Sequence, residues 1–208
     1  MPILFQQDIN PFCVIGVWRI DEKDDYFLRK VAPAYPINHP LKRSQHLAGR
    51  YLLQELMPEI SLMRITINNS GKPKVEGSEC SFSISHSKEY AAVIVSEKGL
   101  VGIDVEYIDN KALALQHKFI SEEERKLLGL MFPDERKMAT AGWCVKESVF
   151  KWYGEGKVDF LQHIRLISVE RHEELVHIKC MFRKQEELIL DVRLMEFENM
   201  LLAYLIDV

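Results

Sequence analysis

Three acids and a lysine set the terms. Asp104 and Glu106 stand two residues apart in Val101-Gly102-Ile103-Asp104-Val105-Glu106, a short apolar stretch rich in β-branched residues. Glu147 and Lys151 stand four apart further on, in a segment of helical period. In a strand, residues two apart project from the same side. In a helix, residues four apart share a stripe. Neighbouring carboxylates repel and resist desolvation unless a cation lies between them. A hard divalent ion that keeps some of its waters and binds substrate phosphate meets that need. Each piece also has a plain structural reading: solvated acids at a strand end for Asp104 and Glu106, and a surface ion pair for Glu147 and Lys151.

Other groups suited to anions precede them. Lys72 lies in Asn68-Asn69-Ser70-Gly71-Lys72-Pro73, where glycine permits a tight bend and proline fixes the chain after the lysine. Ser85, His86 and Ser87 close an alternating segment that begins at Phe82. No Gly-x-Ser-x-Gly elbow accompanies them, so His86 is read as a hydrogen-bond donor to an anion and not as part of a triad. Arg43, His46, Arg50 and Gln54 form the polar stripe of a helix predicted over Leu41–Met57, with Lys42 just upstream. Such a stripe is either a solvated face or an anion-binding one.

The elements that must position these groups follow in order. Phe12–Ile20 reads as a central strand, Asp21–Asp25 as a charged turn, and the stretch with Pro33, Pro36 and Pro40 as a loop. Ile65–Ile67 is a short strand, and Phe82–Ser87 with Tyr90–Ser96 a hairpin turning at Lys88-Glu89. Ser121-Glu122-Glu123-Glu124 is a capping box that starts a helix through Met131. A longer helix runs from Asp134 to Tyr153 and stops at Gly154, with Met138, Val145, Val149 and Trp152 facing the core. Ile164–Val169, Leu175–Phe182, Leu188–Leu194 and Met200–Ile206 read as an antiparallel meander.

Composition narrows the class. The chain has 208 residues, 47% of them hydrophobic and 28% charged, which suits a folded globular protein. A net charge of −4 argues against a general grip on nucleic acid or an anionic membrane. No apolar run approaches a membrane span, and the N-terminus lacks a secretory pattern, so a cytoplasmic location is expected. Cys13, Cys80, Cys144 and Cys180 are widely spaced and predict free thiols. The order of elements predicts an α+β fold of two similar halves, residues 1–100 and 101–208. Each half is a mostly antiparallel sheet packed with helices, the halves are related by a pseudo-twofold, and the active site lies in the cleft between them. A monomer is expected.

Taken in order, Gly71-Lys72-Pro73, Phe82-Ser83-Ile84-Ser85-His86-Ser87, Gly102-Ile103-Asp104-Val105-Glu106 and Trp143-Cys144-Val145-Lys146-Glu147-Ser148-Val149-Phe150-Lys151 resemble the motifs of the 4′-phosphopantetheinyl transferase superfamily. The likeness is to its single-chain, two-halved branch, typified by the surfactin-synthetase-activating enzyme. Phe119-Ile120-Ser121-Glu122-Glu123-Glu124 is similar to a further family segment. Ser83 stands where asparagine is usual and Ser148 where alanine is common.

The resemblance implies transfer of the phosphopantetheine arm from coenzyme A to a serine of an apo acyl, peptidyl or aryl carrier protein, with 3′,5′-ADP leaving. It implies Mg²⁺, or Mn²⁺, on Asp104, Glu106 and Glu147, with Glu147, Lys151 and Asp104 as the catalytic set. It also implies coenzyme A contacts from Lys72, Pro73, Ser85, His86, Lys146 and Lys151, and from Arg43 and Arg50 at the nucleotide end. Whether Glu147 or a metal-bound water takes the serine proton is left open. The alternatives are another metal-dependent phosphate-ester enzyme and a non-catalytic carrier- or nucleotide-binding module.

Overall fold

A computed structural model describes residues 3–68 and 71–207. The chain divides into two compact units, the first ending at Val101 and the second spanning Gly102–Asp207. No helix among the described residues is long and apolar enough to cross a membrane.

The first unit holds β1 (Ile3–Asn10), β2 (Cys13–Arg19), α1 (Asp24–Leu28), α2 (Pro40–Leu56), β3 (Ile65–Ile67), β4 (Pro73–Val75), β5 (Ser81–Ser87) and β6 (Tyr90–Ser96). Its main sheet is antiparallel throughout in the order β1-β2-β6-β5, and β3 and β4 form a separate antiparallel pair. Helix α2 packs on β2, β5 and β6, burying Leu47, Ala48, Leu52 and Leu53 with Trp18, Phe82, Val93 and Val95. Full burial of each larger aliphatic side chain contributes about 1.5–3 kcal/mol. Pro40 belongs to the helix and not to the loop before it: it occupies the first helical turn, where its missing N–H costs nothing. The expected turn at Asp21–Asp25 runs into α1, whose Phe27 is buried against Trp18.

The second unit holds β7 (Leu100–Tyr107), α3 (Asn110–Leu115), α4 (Glu122–Met131), α5 (Glu135–Tyr153), β8 (Ile164–His172), β9 (Leu175–Arg183), β10 (Glu187–Phe197) and β11 (Met200–Asp207). The sheet order is β7-β11-β10-β9-β8, so the chain's meander ends by pairing with the strand that opens the unit. Helix α5 packs on β10 and β11 and buries Met138, Cys144, Val145, Val149 and Trp152. The two units share a plan within an α+β fold. In each, a strand ahead of the long helix (β2 or β7) pairs with the last strand of the unit (β6 or β11).

Two turns and contacts matter for the site. Gly71 has φ +90°, a left-handed value that favours glycine, and it precedes Lys72 at the head of β4. Asn69 and Ser70 of that predicted turn lie outside the described residues. At Gly102 the constraint is space. A Cβ there would lie 2.1 Å from the Ser148 carbonyl oxygen and 2.7 Å from the Trp152 nitrogen. The backbone of β7 thus lies directly against the backbone of α5, which fixes the offset between the acids of the strand and those of the helix. Ser148 suits this contact because it is small, and its buried hydroxyl donates to the Val145 carbonyl at 2.7 Å. Gly102→Ala is expected to cost about 3 kcal/mol or more, since backbone cannot yield as a side chain can. Urea unfolding reads this directly, and an unchanged midpoint would mean that the strand and helix are free to separate.

Candidate functional site

The spacing of Asp104 and Glu106 does what a strand requires. Both leave β7 on one side, Asp104 buried and Glu106 half-buried. From α5, Lys151 Nζ donates to Asp104 Oδ1 at 2.7 Å, and the Trp143 indole N–H donates to Glu106 Oε1 at 3.2 Å. Trp143 is held edge-on to Phe119 and tilted against Phe160, with ring centroids 5.0 and 5.5 Å apart. The buried Cys144 thiol donates to the Asp104 carbonyl at 3.2 Å, pinning the strand beneath its carboxylate.

Glu147 sits in the middle of this group. Burial first, then the Asp104 charge, push its carboxyl from 4.5 up to about 7; Lys151 opposes the rise, Glu106 adds to it, and Lys111 opposes it. The four residues that spacing singled out, Asp104, Glu106, Glu147 and Lys151, therefore share one electrostatic environment. Among the described residues, however, no three His, Cys, Asp or Glu side chains gather closely enough to hold an ion as they stand. Lys151 sits on one acid and Trp143 on another. The fit to a hard divalent cation lies in the donor chemistry: all oxygen, with Glu147 raised first by burial and then by the charges of Asp104 and Glu106.

Lys146 has a different position from the one expected. Its ammonium is fully buried and bonds Glu124 (Oε1 2.7 Å, Oε2 2.9 Å), the Phe160 carbonyl at 2.8 Å and the Ile164 carbonyl at 2.8 Å. An ammonium has three donors, and acceptors within the unit take them all. Lys146 thus acts as a structural tie within the unit. Glu124 is the matching hub: as N3 of the capping box it accepts from the Ser121 N–H at 2.8 Å, and its other oxygen accepts from the Leu166 N–H at 2.9 Å. One buried ion pair thereby joins the start of α4, the middle of α5 and the start of β8. Burial lowers the Lys146 ammonium and the Glu124 carboxylate pulls it back up.

The remaining candidates lie in the first unit. Lys72 is partly buried at the head of β4, and burial brings its amine from 10.5 down to about 8. Pro73 begins β4, Ser85 is buried on β5, and His86 beside it is exposed. Arg50 donates through Nε to the Ala32 carbonyl at 3.0 Å and is half-buried. Arg43 is engaged elsewhere: it pairs with Asp24, whose other oxygen accepts from the Ser44 hydroxyl at 2.5 Å.

His46 belongs to the same polar stripe of α2 as Arg43 and Arg50. Burial, with Arg50 and His86 nearby, lowers its imidazole to about 4, and its Nε2 accepts the Ala34 N–H at 3.1 Å.

The family model for the 4′-phosphopantetheinyl transferase superfamily matches residues 100–196, the span that carries β7, α4 and α5. The 4′-phosphopantetheinyl transferase AcpT of Escherichia coli O157:H7 is 31% identical over 131 residues, covering 61% of this chain and 64% of that protein. AcpT of Escherichia coli strain K12 gives the same identity and coverage. A relative from Haemophilus influenzae is 32% identical over 127 residues, 58% of this chain and 53% of its own length. The chain thus spans a little over half to just under two thirds of the length of these relatives. Residues 100–196, with their acid-bearing strand and Trp143–Lys151 helix, are thus similar to the 4′-phosphopantetheinyl transferase superfamily.

Proposed function

We propose that the protein transfers the 4′-phosphopantetheine arm of coenzyme A to a serine hydroxyl of an apo carrier protein, acyl, peptidyl or aryl, and releases 3′,5′-ADP. The observation that carries this reading is Glu147, half-buried and sharing one electrostatic environment with Asp104 and Glu106, its carboxyl raised to about 7. A carboxylate with that affinity for a proton suits a general base working near neutral pH. Serine is a poor nucleophile while protonated. In this reading Glu147, or a water where a cation occupies Glu147, takes the serine proton as the serine oxygen bonds to phosphorus and the bond to the 3′,5′-ADP oxygen breaks.

Asp104, Glu106 and Glu147 would hold Mg²⁺ or Mn²⁺. When bound, such an ion neutralises charge that builds on the diphosphate. Lys151 supplies a second positive charge from α5, held in place by Asp104 until substrate phosphate competes for it. Lys72, Pro73, Ser85 and His86 are the proposed coenzyme contacts, with Arg43 and Arg50 at the nucleotide end. A partly desolvated amine such as that of Lys72 gains more from a phosphate than a solvated one does.

Lys72→Ala or His86→Ala is expected to weaken coenzyme A binding by about ten- to a hundredfold, the size of one charge-assisted hydrogen bond. Carrier affinity should not change. Calorimetric titration with coenzyme A, then with carrier, separates the two effects; unchanged coenzyme affinity removes both residues from the site. For the reaction itself, chromatography should detect 3′,5′-ADP when coenzyme A, Mg²⁺ and an apo carrier are supplied together. No nucleotide release with any carrier class would overturn the reading. A non-catalytic binding module would bind coenzyme A and carrier without releasing the nucleotide.

A further inference from the structure

The outer face of the second unit's sheet carries two histidines that the transfer reading does not use. Val176, Ile178 and Cys180 of β9 point into the core, so the alternate residue His177 points outward. Glu170 of β8 is the register partner of His177, and His172 follows two residues later on the same face. Asp191 of β10 completes the group. Glu173 bridges β8 and β9 with φ 55°, so the cluster lies at the tight end of a hairpin.

The two imidazoles meet edge to face, with centroids 4.8 Å apart and planes at 76°. Each has a carboxylate on one nitrogen: Asp191 Oδ2 lies 3.3 Å from His177 Nδ1, and Glu170 Oε2 lies 3.5 Å from His172 Nε2. A neutral imidazole that directs its N–H to a carboxylate presents a lone pair on its other nitrogen. Metal-binding histidines are commonly oriented in this way.

We propose that His172 and His177 form a two-imidazole site for a late first-row transition ion such as Zn²⁺, with Glu170 and Asp191 orienting the rings. Imidazole pairs select such ions over Mg²⁺, which prefers oxygen. No third His, Cys, Asp or Glu ligand closes the set among the described residues. Water fills the remaining positions, and the ion clamps β8 to β9 next to their turn. The proposal is independent of the transfer reading.

The test is calorimetric titration of the full chain with zinc chloride, with Mg²⁺ in excess to compete at oxygen-rich sites. One Zn²⁺ per chain is expected to bind. His177→Ala and His172→Ala should each weaken this binding more than tenfold, and Asp191→Asn should weaken it by about ten- to a hundredfold by releasing its ring. His172 is exposed and His177 half-buried, and circular dichroism verifies that the variants remain folded. In the unmodified chain, Zn²⁺ should also shift the imidazole resonances of His172 and His177 and leave that of His46 in place. An isotherm unchanged in both histidine variants, or no Zn²⁺ binding at all, overturns the proposal.

Discussion

Replacing Glu147 by glutamine is expected to lower carrier modification by about 10²- to 10⁴-fold, the range for loss of a general base. The same change should make the metal-free protein more stable above pH 7. The Glu147 carboxyl is raised in the folded state to about 7 from 4.5, first by burial and then by Asp104. Below pH 4.5 it is protonated in folded and unfolded chains alike and contributes no pH dependence. Between 4.5 and about 7 the folded chain keeps a proton that the unfolded chain has lost, so stability falls as pH rises. Each unit of raised pKa is worth about 1.4 kcal/mol, so by pH 8 the cost reaches about 3 kcal/mol. Glutamine cannot ionise and escapes that cost. Chelator-treated wild type and Glu147→Gln, unfolded in urea at pH 5 and pH 8, should differ little at the lower pH. At the higher pH the variant should be the more stable. Equal stability at both would mean that Glu147 is solvated and poorly placed to act as base.

The second large effect concerns Lys146. Lys146→Met is expected to destabilise the protein by about 3–5 kcal/mol, because it leaves the buried Glu124 carboxylate without its counter-charge. The Phe160 and Ile164 carbonyls lose their donor in the same step. Adding Glu124→Gln should recover part of the loss, so the double variant costs less than the two single ones together. Urea midpoints measure all three. A Lys146→Met protein of normal stability but weakened coenzyme affinity would return this lysine to the phosphate-binding set.

The sequence carries the strand–helix pairing of the site well and carries its depth poorly. Asp104 and Glu106 share a side because strand geometry leaves no other choice, and Glu147 and Lys151 share a stripe because of helical period. Lys146 is one residue from Glu147, about 100° around the helix, and lies on the face that Val145 and Val149 bury. A charged residue on that face reads as part of a site until its partner is known. The partner, Glu124, lies 22 positions earlier and already has a local explanation as the end of a capping box. Strand β1 gives only a faint signal, because an edge strand with Gln6, Gln7 and Asp8 exposed does not alternate cleanly. Strand β4 and helix α3 are short, and their stability comes from what they pack against rather than from pattern.

The central claim is that Asp104, Glu106, Glu147 and Lys151 work together to move phosphopantetheine onto a carrier. Intact-mass measurement of apo acyl, peptidyl and aryl carriers, each incubated with coenzyme A, Mg²⁺ and the protein, tests it most directly. The account predicts that at least one carrier gains the mass of a single phosphopantetheine, and that EDTA or Glu147→Gln abolishes the gain. Full modification by the Glu147→Gln protein would contradict the assigned site. No gain on any carrier, from protein that binds coenzyme A, would contradict the transfer itself.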